Sequence, residues 1–334
     1  MKIAVIGAGA IGTLVAGYLK EKGVDISLVG HAPAVEAVRA GGVHILGVRG
    51  NLNVKIDIAQ RLDYSPDLAI LTTKTQDIYS AIEDNRTFLE DATILTAQNG
   101  IRADEFLARC LPKENIVSSI VMFGATYLEP GKVVHNFEGG WIIGRMFGKN
   151  DALVSEISAL CQKAFPVTVS EDLKGMKYLK IFVNANNCIA AILGVSMQEA
   201  FSDINISRIS IAIWKEGLAI MNKAGVHLLS LPDFPLERLV KLTSLPIDEA
   251  AKIFSGIMTN LSKEPLYGSI LQSIRRKRDS EINYINGEFI NLAKEKHLAA
   301  PLNEKLVELV YRVEASGKFF SKEELLAQTN GLVK

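Results

Sequence analysis

The chain begins with MKIAVIGAGAIGTLVAGYL, residues 1–19, and this stretch decides the fold of its first half. The apolar run Lys2–Ile6 predicts a β-strand, glycines follow at positions 7, 9 and 12, and an apolar helix comes next. A G-x-G-x-x-G motif in this context binds the pyrophosphate of a dinucleotide, because the helix N-terminus presents unpaired N–H groups and positive potential. The stretch therefore predicts a dinucleotide-binding βαβ unit.

Each residue of the motif has an expected role. Gly7 permits the tight turn, Gly9 lacks the Cβ that would block a pyrophosphate, and Gly12 lets the helix pack closely on the strand. Ala10 and Ile11 complete the cofactor-binding turn. A glycine turn without a ligand is the alternative, but the strand before it and the helix after it favour the cofactor site.

The second strand, Ile26–Val29, should end at the residue that reads the ribose of the cofactor. An acidic side chain there selects a free 2′-hydroxyl group, whereas a basic one accepts a 2′-phosphate. In this chain the position falls on Gly30 or His31, and no acid is present. Imidazole is a weaker phosphate partner than Arg because its charge depends on pH. We expect NADP (NADPH) as cofactor, with NAD as the open alternative.

Strand and helix signals alternate through the first half, which predicts a Rossmann-type, doubly wound parallel sheet. Residues 132–144, KVVHNFEGGWIIG, predict instead a hairpin that turns at Glu138-Gly139-Gly140. The strand candidates are Lys2–Ile6, Ile26–Val29, Leu68–Thr72, Thr93–Thr96, Ile116–Val121 and Trp141–Gly144, and the helix candidates are Ile11–Glu21, Ala34–Ala40, Ile78–Leu89, Asp104–Leu111 and Asp151–Phe165.

From about Asp172 onward the strand signals end, and helical periodicity punctuated by Pro and Gly predicts an all-helical C-terminal domain. The expected boundary divides a dinucleotide-binding domain, residues 1–170, from a helical substrate and catalytic domain, residues 171–334. Helices are expected over residues 172–193, 204–224, 247–261, 268–276, 281–297 and 302–316.

Composition narrows the classes of function. Lys plus Arg number 37 and Asp plus Glu also number 37, so no net charge favours nucleic acid or an anionic membrane as partner. Glycines interrupt the apolar N-terminal run, which argues against a signal peptide, and no run of about 20 apolar residues predicts a membrane span. The three cysteines are scattered and the five histidines lack metal-ligand spacing, so we expect a cytoplasmic protein without a metal site.

Residues 178–192, YLKIFVNANNCIAAI, combine a core-like apolar pattern with polar residues on one helix face. Lys180, Asn184 and Asn187 fall at positions i, i+4 and i+7. A buried ammonium group must be compensated, because leaving it unpaired is costly. The alternative is a lysine that reaches solvent at the helix edge, and Lys177 is a rival on roughly the same face.

Five stretches are similar to one known family: GAGAIG at 7–12, TTKT at 72–75, AQNG at 97–100, KIFVN at 180–184 and GSILQSIRRKRDSEINYINGEF at 268–289. Through them nearly the whole chain resembles the ketopantoate reductase (2-dehydropantoate 2-reductase) family. The resemblance implies reduction of the small 2-oxo acid 2-dehydropantoate to pantoate with NADPH, a step toward coenzyme A. A homodimer, in which a second copy of the chain is the partner, is compatible with this resemblance.

The resemblance also implies roles for single residues. Lys180 matches the family's catalytic lysine, and Glu281 matches its catalytic glutamate, which is also expected at the cofactor. Asn184 and Ser269 match residues that bind the substrate. Asn99 is expected at both substrate and cofactor, and Lys74 at the cofactor.

These residue types suit the implied chemistry. Hydride transfer to a ketone builds negative charge on the carbonyl oxygen, which a cation or proton donor must stabilise. Lys180 can do both, because desolvation lowers the pKa of a lysine. Amide and hydroxyl groups can hold the substrate's polar atoms, although Asn184, Asn187 and Ser269 could instead cap backbone groups, and Glu281 could be a first-turn helix acid.

The chain departs from the family pattern at four places. His31 stands where Arg is common, and Cys188 occupies the slot of a second helix asparagine, so Asn187 must serve there or the contact is lost. Ser273 replaces an Asp, and Asp77 replaces a Gln. The changes at Cys188 and Ser273 motivate one alternative, a reductase of another 2-oxo acid. A second alternative is a dinucleotide-sensing protein without catalysis, which would have lost the lysine–glutamate pair that this sequence retains.

Overall fold

The computed structural model describes residues 1–262 and 264–333. The chain divides into two compact units, Met1–Lys174 and Gly175–Lys334. The first unit holds the β-sheets, and the second is built from helices. This confirms the predicted fold class of a Rossmann-type sheet domain followed by a helical domain.

The first unit is organised around a large twisted sheet. All neighbouring strands in it run parallel except β11, which is antiparallel to β8. The strands are β1 (Ile3–Ile6), β2 (Ile26–Val29), β3 (Val43–Gly47), β4 (Leu52–Val54), β5 (Asp57–Ala59), β6 (Leu68–Leu71), β7 (Thr93–Thr96), β8 (Ile116–Val121), β9 (Gly124–Glu129), β10 (Lys132–Phe137), β11 (Trp141–Gly144) and β12 (Val167–Val169). The sheet has the order β12-β11-β8-β7-β6-β1-β2-β5.

Both faces of this sheet are buried. Along β1, Ile3 and Val5 pack into one apolar cluster, and Ala4 and Ile6 pack into a second. Covered faces explain why the parallel strands read as continuous apolar runs, and they leave the loops at the carboxyl edge for binding. The covering helices are α1 (Ala10–Glu21), α2 (Ala32–Gly41), α3 (Ile78–Glu83), α4 (Arg86–Leu89), α5 (Arg102–Leu107) and α6 (Ala152–Cys161), with 3₁₀ turns at Thr75–Asp77 and Lys113–Asn115.

The predicted hairpin over residues 132–144 is wrong. β10 pairs with β9 and β3 in a separate four-stranded sheet of order β4-β3-β10-β9, whereas β11 belongs to the large sheet. The actual hairpin turns at Pro130-Gly131, where Gly131 has a φ of +77°. A Pro-Gly pair matches the central residues of a tight turn, so this signal outweighed Glu138-Gly139-Gly140, which instead carries the chain from one sheet to the other.

The second unit shows two breaks that the sequence did not predict. Residues 172–193 form two helices, Leu173–Ala185 and Asn187–Leu193, separated by Asn186. Residues 281–297 begin as the 3₁₀ turn Ile282–Tyr284 and become α-helical only after Ile285, so Glu281 precedes a turn and does not lie on a helix. The helices are α7 (Leu173–Ala185), α8 (Asn187–Leu193), α9 (Met197–Phe201), α10 (Ile204–Lys223), α11 (Leu236–Ser244), α12 (Ile247–Thr259), α13 (Ser269–Arg275), α14 (Asn286–Glu295), α15 (Pro301–Ser316) and α16 (Lys322–Gln328).

Among the described residues, no helix is both long enough and apolar enough to cross a membrane.

A polar cluster joins the small sheet to α1, with Tyr18 and His135 buried and Arg49 and Glu138 at the surface. The Nδ1 atom of His135, on β10, lies 3.1 Å from the hydroxyl of Tyr18, on α1. The other ring nitrogen, Nε2, has no hydrogen-bond partner within the described chain. Arg49 stacks on the Tyr18 ring at 4.7 Å and binds Glu138 with two bonds of 2.6 Å. Burial lowers the pKa of His135 below its ordinary 6.5, so the ring is neutral in the folded protein at neutral pH.

We expect stability to fall in acid because of His135. The unfolded chain protonates this histidine near pH 6.5, while the folded protein resists protonation, so the free energy of unfolding decreases as the pH drops below 6.5. His135→Gln keeps a partner for Tyr18 without a titrating ring and should flatten this decline. Denaturant titrations between pH 7 and 5 measure it; equal slopes in both proteins would contradict the assignment.

Candidate active site

The glycine loop after β1 is held by contacts within the protein. Gly7 has a φ of +117°, which favours glycine, and its N–H donates to the carbonyl of Val29 at 2.9 Å. A Cβ at Gly12 would collide with the carbonyl oxygen of Gly7 and with the hydroxyl of Thr72. That hydroxyl donates to the Gly7 carbonyl at 2.8 Å. Packing alone therefore requires glycine at positions 7 and 12.

Gly9 differs from these two glycines. It is the N-cap of α1, its φ of −87° suits any residue, and a Cβ there would meet no protein atom within 4 Å. The folded chain therefore does not need glycine at this position, but a group bound close to the backbone would. Ala10 and Ile11 begin a twelve-residue helix whose first N–H groups can receive an anion. The loop fits the pyrophosphate of a dinucleotide.

The other predicted cofactor residues follow strands that neighbour β1. In the order β7-β6-β1-β2, Asn99 comes three residues after β7, Lys74 three residues after β6, and His31 two residues after β2. The carboxyl ends of adjacent parallel strands meet at one edge, so these residues share the edge of the glycine loop. His31 is exposed at the start of α2. Of the predicted set, the first unit thus gathers Gly7, Gly9, Ala10, Ile11, Gly12, His31, Lys74 and Asn99 along this edge.

Two positioning residues of this edge were not predicted. The hydroxyl of Thr72 fastens the glycine loop, and the side-chain amide of Gln98 donates to the carbonyls of Leu71 and Thr73 at 2.9 and 3.0 Å. Both lie within the TTKT and AQNG stretches. A polar side chain next to a strand end was the available signal.

In the second unit, Lys180 lies on a partly exposed face. Lys180 and Asn184 on α7, and Asn187 at the start of α8, are each partly exposed, while the residues around them are mostly buried. Their partial exposure agrees with the predicted common face, which stays a prediction. Lys177 is only 2 % exposed, so it offers a ligand much less surface than Lys180 does.

The environment of Lys180 suits a proton donor. Desolvation by the surrounding protein lowers its pKa from 10.5 to about 8, and the charge of Asp233 opposes this shift. Asp233 stands in the loop before α11 and was not predicted; a single acid in a loop gives no sequence signal. An ammonium group with a pKa near the working pH can both stabilise an oxyanion and release its proton.

The backbone of Gly268, directly before Ser269, lies close to the side chain of Asn187. Gly268 is the N-cap of α13 and Ser269 its first residue, which excludes Ser269 as the cap. A Cβ on Gly268 would lie 3.0 to 3.2 Å from three side-chain atoms of Asn187. Cys188 is fully buried, its Sγ donates to the carbonyl of Ala185, and burial raises its pKa to about 12, so it does not take the place of an asparagine on the exposed face.

Glu281, at 9 % exposure, stands just before the 3₁₀ turn Ile282–Tyr284.

Comparison with known proteins matches both units to one family. The model described as ketopantoate reductase PanE/ApbA matches residues 3–148, and its C-terminal model matches residues 172–314. A 2-dehydropantoate 2-reductase of Pyrococcus horikoshii is 31 % identical over 320 residues, which are 95 % of this chain and 99 % of that protein.

Solved structures share the fold. A D-mandelate dehydrogenase solved with NADH and anilino(oxo)acetate superimposes with a TM-score of 0.80 and 23 % identity, over 95 % of this chain and 99 % of that one. A PanE/ApbA family ketopantoate reductase from Ralstonia eutropha JMP134 gives a TM-score of 0.78 and 22 % identity, over 94 % and 99 %. At these identities the likeness establishes the architecture of the chain.

The contrast between Gly9 and Gly12 can be tested by substitution. Gly9→Ser should leave the melting temperature unchanged, because serine is a good N-cap and its Cβ meets no protein atom, yet it should weaken dinucleotide binding by at least about tenfold. Gly12→Ala should destabilise the fold by about 1–3 kcal/mol or more through overpacking. Thermal unfolding and fluorescence titration with NADPH measure both effects. Wild-type affinity in Gly9→Ser would remove Gly9 from the cofactor site.

Proposed function

The chain belongs to the ketopantoate reductase family, and from that membership we propose that it reduces 2-dehydropantoate to pantoate with NADPH. The product is used on the route to pantothenate and coenzyme A. The observation that carries this proposal is the desolvated Lys180 on a partly exposed face beside two asparagines. In this proposal the two units are the dinucleotide-binding domain and the substrate domain.

Each residue set has a task in the proposed reaction. The reduced nicotinamide supplies a hydride when the cofactor is bound. Lys180 stabilises the negative charge that develops on the substrate's carbonyl oxygen and then gives that oxygen a proton, which completes the alcohol. Asn184 and Asn187 orient the substrate's polar atoms, and Ser269 binds its carboxylate or hydroxyl group. Glu281 orients the substrate hydroxyl or balances the charge of Lys180, and Asn99 contacts cofactor and substrate.

The preference for NADPH rests on the end of β2. No acid stands there to select a free 2′-hydroxyl, and His31 is exposed where a 2′-phosphate would bind. Lys74 adds a positive charge from the loop after β6. The competing cofactor is NADH, with which the D-mandelate dehydrogenase was solved.

A second candidate function is reduction of another 2-oxo acid. It is favoured by the structural likeness to the D-mandelate dehydrogenase and by the buried Cys188 in the place of a family asparagine. The interpretation as a dinucleotide sensor without catalysis is weaker, because Lys180 and Glu281 are both present in the sequence.

Steady-state assays with 2-dehydropantoate and a panel of other 2-oxo acids, each with NADPH and NADH, test the proposal. We expect the highest kcat/KM for 2-dehydropantoate with NADPH. Lys180→Ala should fold and bind cofactor normally but lower kcat by about 10²–10⁴-fold, the usual contribution of acid catalysis. Near-normal turnover in this variant would assign the role to Lys177, and a clear preference for NADH would refute the cofactor assignment.

The dependence of kcat/KM on pH should follow the protonation state of Lys180. With the pKa of Lys180 at about 8, kcat/KM should fall as the pH rises through that value and the ammonium group loses its proton. Asp233 raises this pKa, so Asp233→Asn should move the fall to lower pH. Glu237→Gln, which removes an exposed acid from neighbouring α11, is the control and should leave the profile in place. A profile unchanged in Asp233→Asn, or moved to higher pH, would contradict the assignment.

A further inference from the structure

Gly268 stands where a side chain would disturb the proposed substrate site. An ideal Cβ on Gly268 would lie 3.0 Å from Cγ, 3.1 Å from Cβ and 3.2 Å from Oδ1 of Asn187. Contacts this short are tighter than nine in ten real Cβ contacts, so the Asn187 side chain would have to move by a few tenths of an ångström. We propose that Gly268 is a positioning residue, which seats Asn187 beside Ser269 so that their amide and hydroxyl groups together bind a polar group of the substrate.

Neither the backbone nor the helix cap explains this glycine. The φ of −64° and ψ of 159° at Gly268 are open to any residue. The position is the N-cap of α13, where serine, aspartate or asparagine would satisfy helix N–H groups that glycine leaves unbonded. Glycine is thus the weaker choice for the local structure, and the three nearest atoms that a Cβ would crowd all belong to the side chain of Asn187.

The side chain of Asn187 lies beside the position that a Cβ on Gly268 would occupy. Asn187 is the first residue of α8, directly after the break at Asn186, and it is partly exposed, as Lys180 and Asn184 are. Its neighbour Cys188 turns fully into the core. The polar end of the predicted face therefore depends on Asn187, and the position of Asn187 depends on the missing Cβ of Gly268.

This inference rests on the proposed reductase function, and two substitutions separate crowding from capping. Gly268→Ala adds the Cβ and caps poorly, whereas Gly268→Ser adds the same Cβ and caps well. If the added Cβ crowds Asn187, Gly268→Ala and Gly268→Ser should both raise the KM for the 2-oxo acid by about fivefold to tenfold, because even a small misplacement of a binding group weakens its interaction with the substrate. The KM for the cofactor should stay unchanged. Gly256→Ala is the matched control in the same unit, because a Cβ there meets no atom within 4 Å.

A double-variant cycle identifies the partner. Asn187→Ala removes the two amide atoms nearest the added Cβ, so Gly268→Ser combined with Asn187→Ala should raise KM no further than Asn187→Ala alone. A wild-type KM in Gly268→Ser, or effects of the two substitutions that simply multiply, would overturn the proposal.

The assays use whichever 2-oxo acid the wild type reduces best, so an inactive wild type with 2-dehydropantoate defeats the proposed substrate and not the role of Gly268. Crystal structures of the wild type and Gly268→Ser give a readout that needs no turnover. An Asn187 amide in the same position in both would refute the seating of Asn187 by Gly268.

Discussion

The close contact between Gly12 and the carbonyl of Gly7 fixes where α1 leaves β1. The hydroxyl of Thr72, the residue directly after β6, donates to the same carbonyl at 2.8 Å, so strand, turn and helix are held at one point. The first turn of α1 is thereby set at the carboxyl edge of the sheet, where the N–H groups of a helix N-terminus can receive a phosphate. Gly9 can keep an open surface above the backbone because its two neighbouring glycines carry the packing. The glycines of one motif thus divide structural and binding tasks between them.

Gly7 and Gly12 support the fold, whereas the buried charge of Lys180 destabilises it. Desolvation lowers its pKa to about 8, whereas the unfolded chain keeps the proton up to its ordinary value of 10.5. Between these values, and at neutral pH, burial of the charge opposes folding. Asp233 reduces this opposition from the surface. A lysine in this position is therefore poorly explained as a stabilising residue and well explained as a poised acid, which is why the proposed reaction is built around it.

The sequence predicted those parts of the structure that depend on local pattern. The sequence predicts β1, the glycine turn and α1 because apolar runs, glycine spacing and helical periodicity agree there. The expected polar face of Lys180 and Asn184 follows from helix geometry alone. Pairing between distant segments was not readable: β10 and β11 join different sheets, although a glycine-rich stretch between them suggested a hairpin. The break at Asn186 and the turn after Glu281 depend on single residues within otherwise helical patterns. Asp233 and Gly268 could not be singled out from the sequence, because Asp233 acts on Lys180 and Gly268 lies against Asn187, both distant along the chain.

The break at Asn186 also bears on the substrate. An unbroken helix would carry both Asn187 and Cys188 at the end of the face that begins with Lys180, since i+7 and i+8 are adjacent positions on it. In the structure the polar residue keeps the partly exposed position, and the thiol enters the core. Next to Asn187 lies the start of α13, with the hydroxyl-bearing Ser269. Within the proposed function, a site that ends in an amide and a hydroxyl group suits a 2-oxo acid that carries a hydroxyl group of its own, because an unpaired polar pair would otherwise be desolvated without compensation. Although Cys188 stands where the family has an asparagine, the neighbouring Asn187 therefore keeps a hydrogen-bonding group at this end of the proposed site. Gly268 leaves room for its side chain.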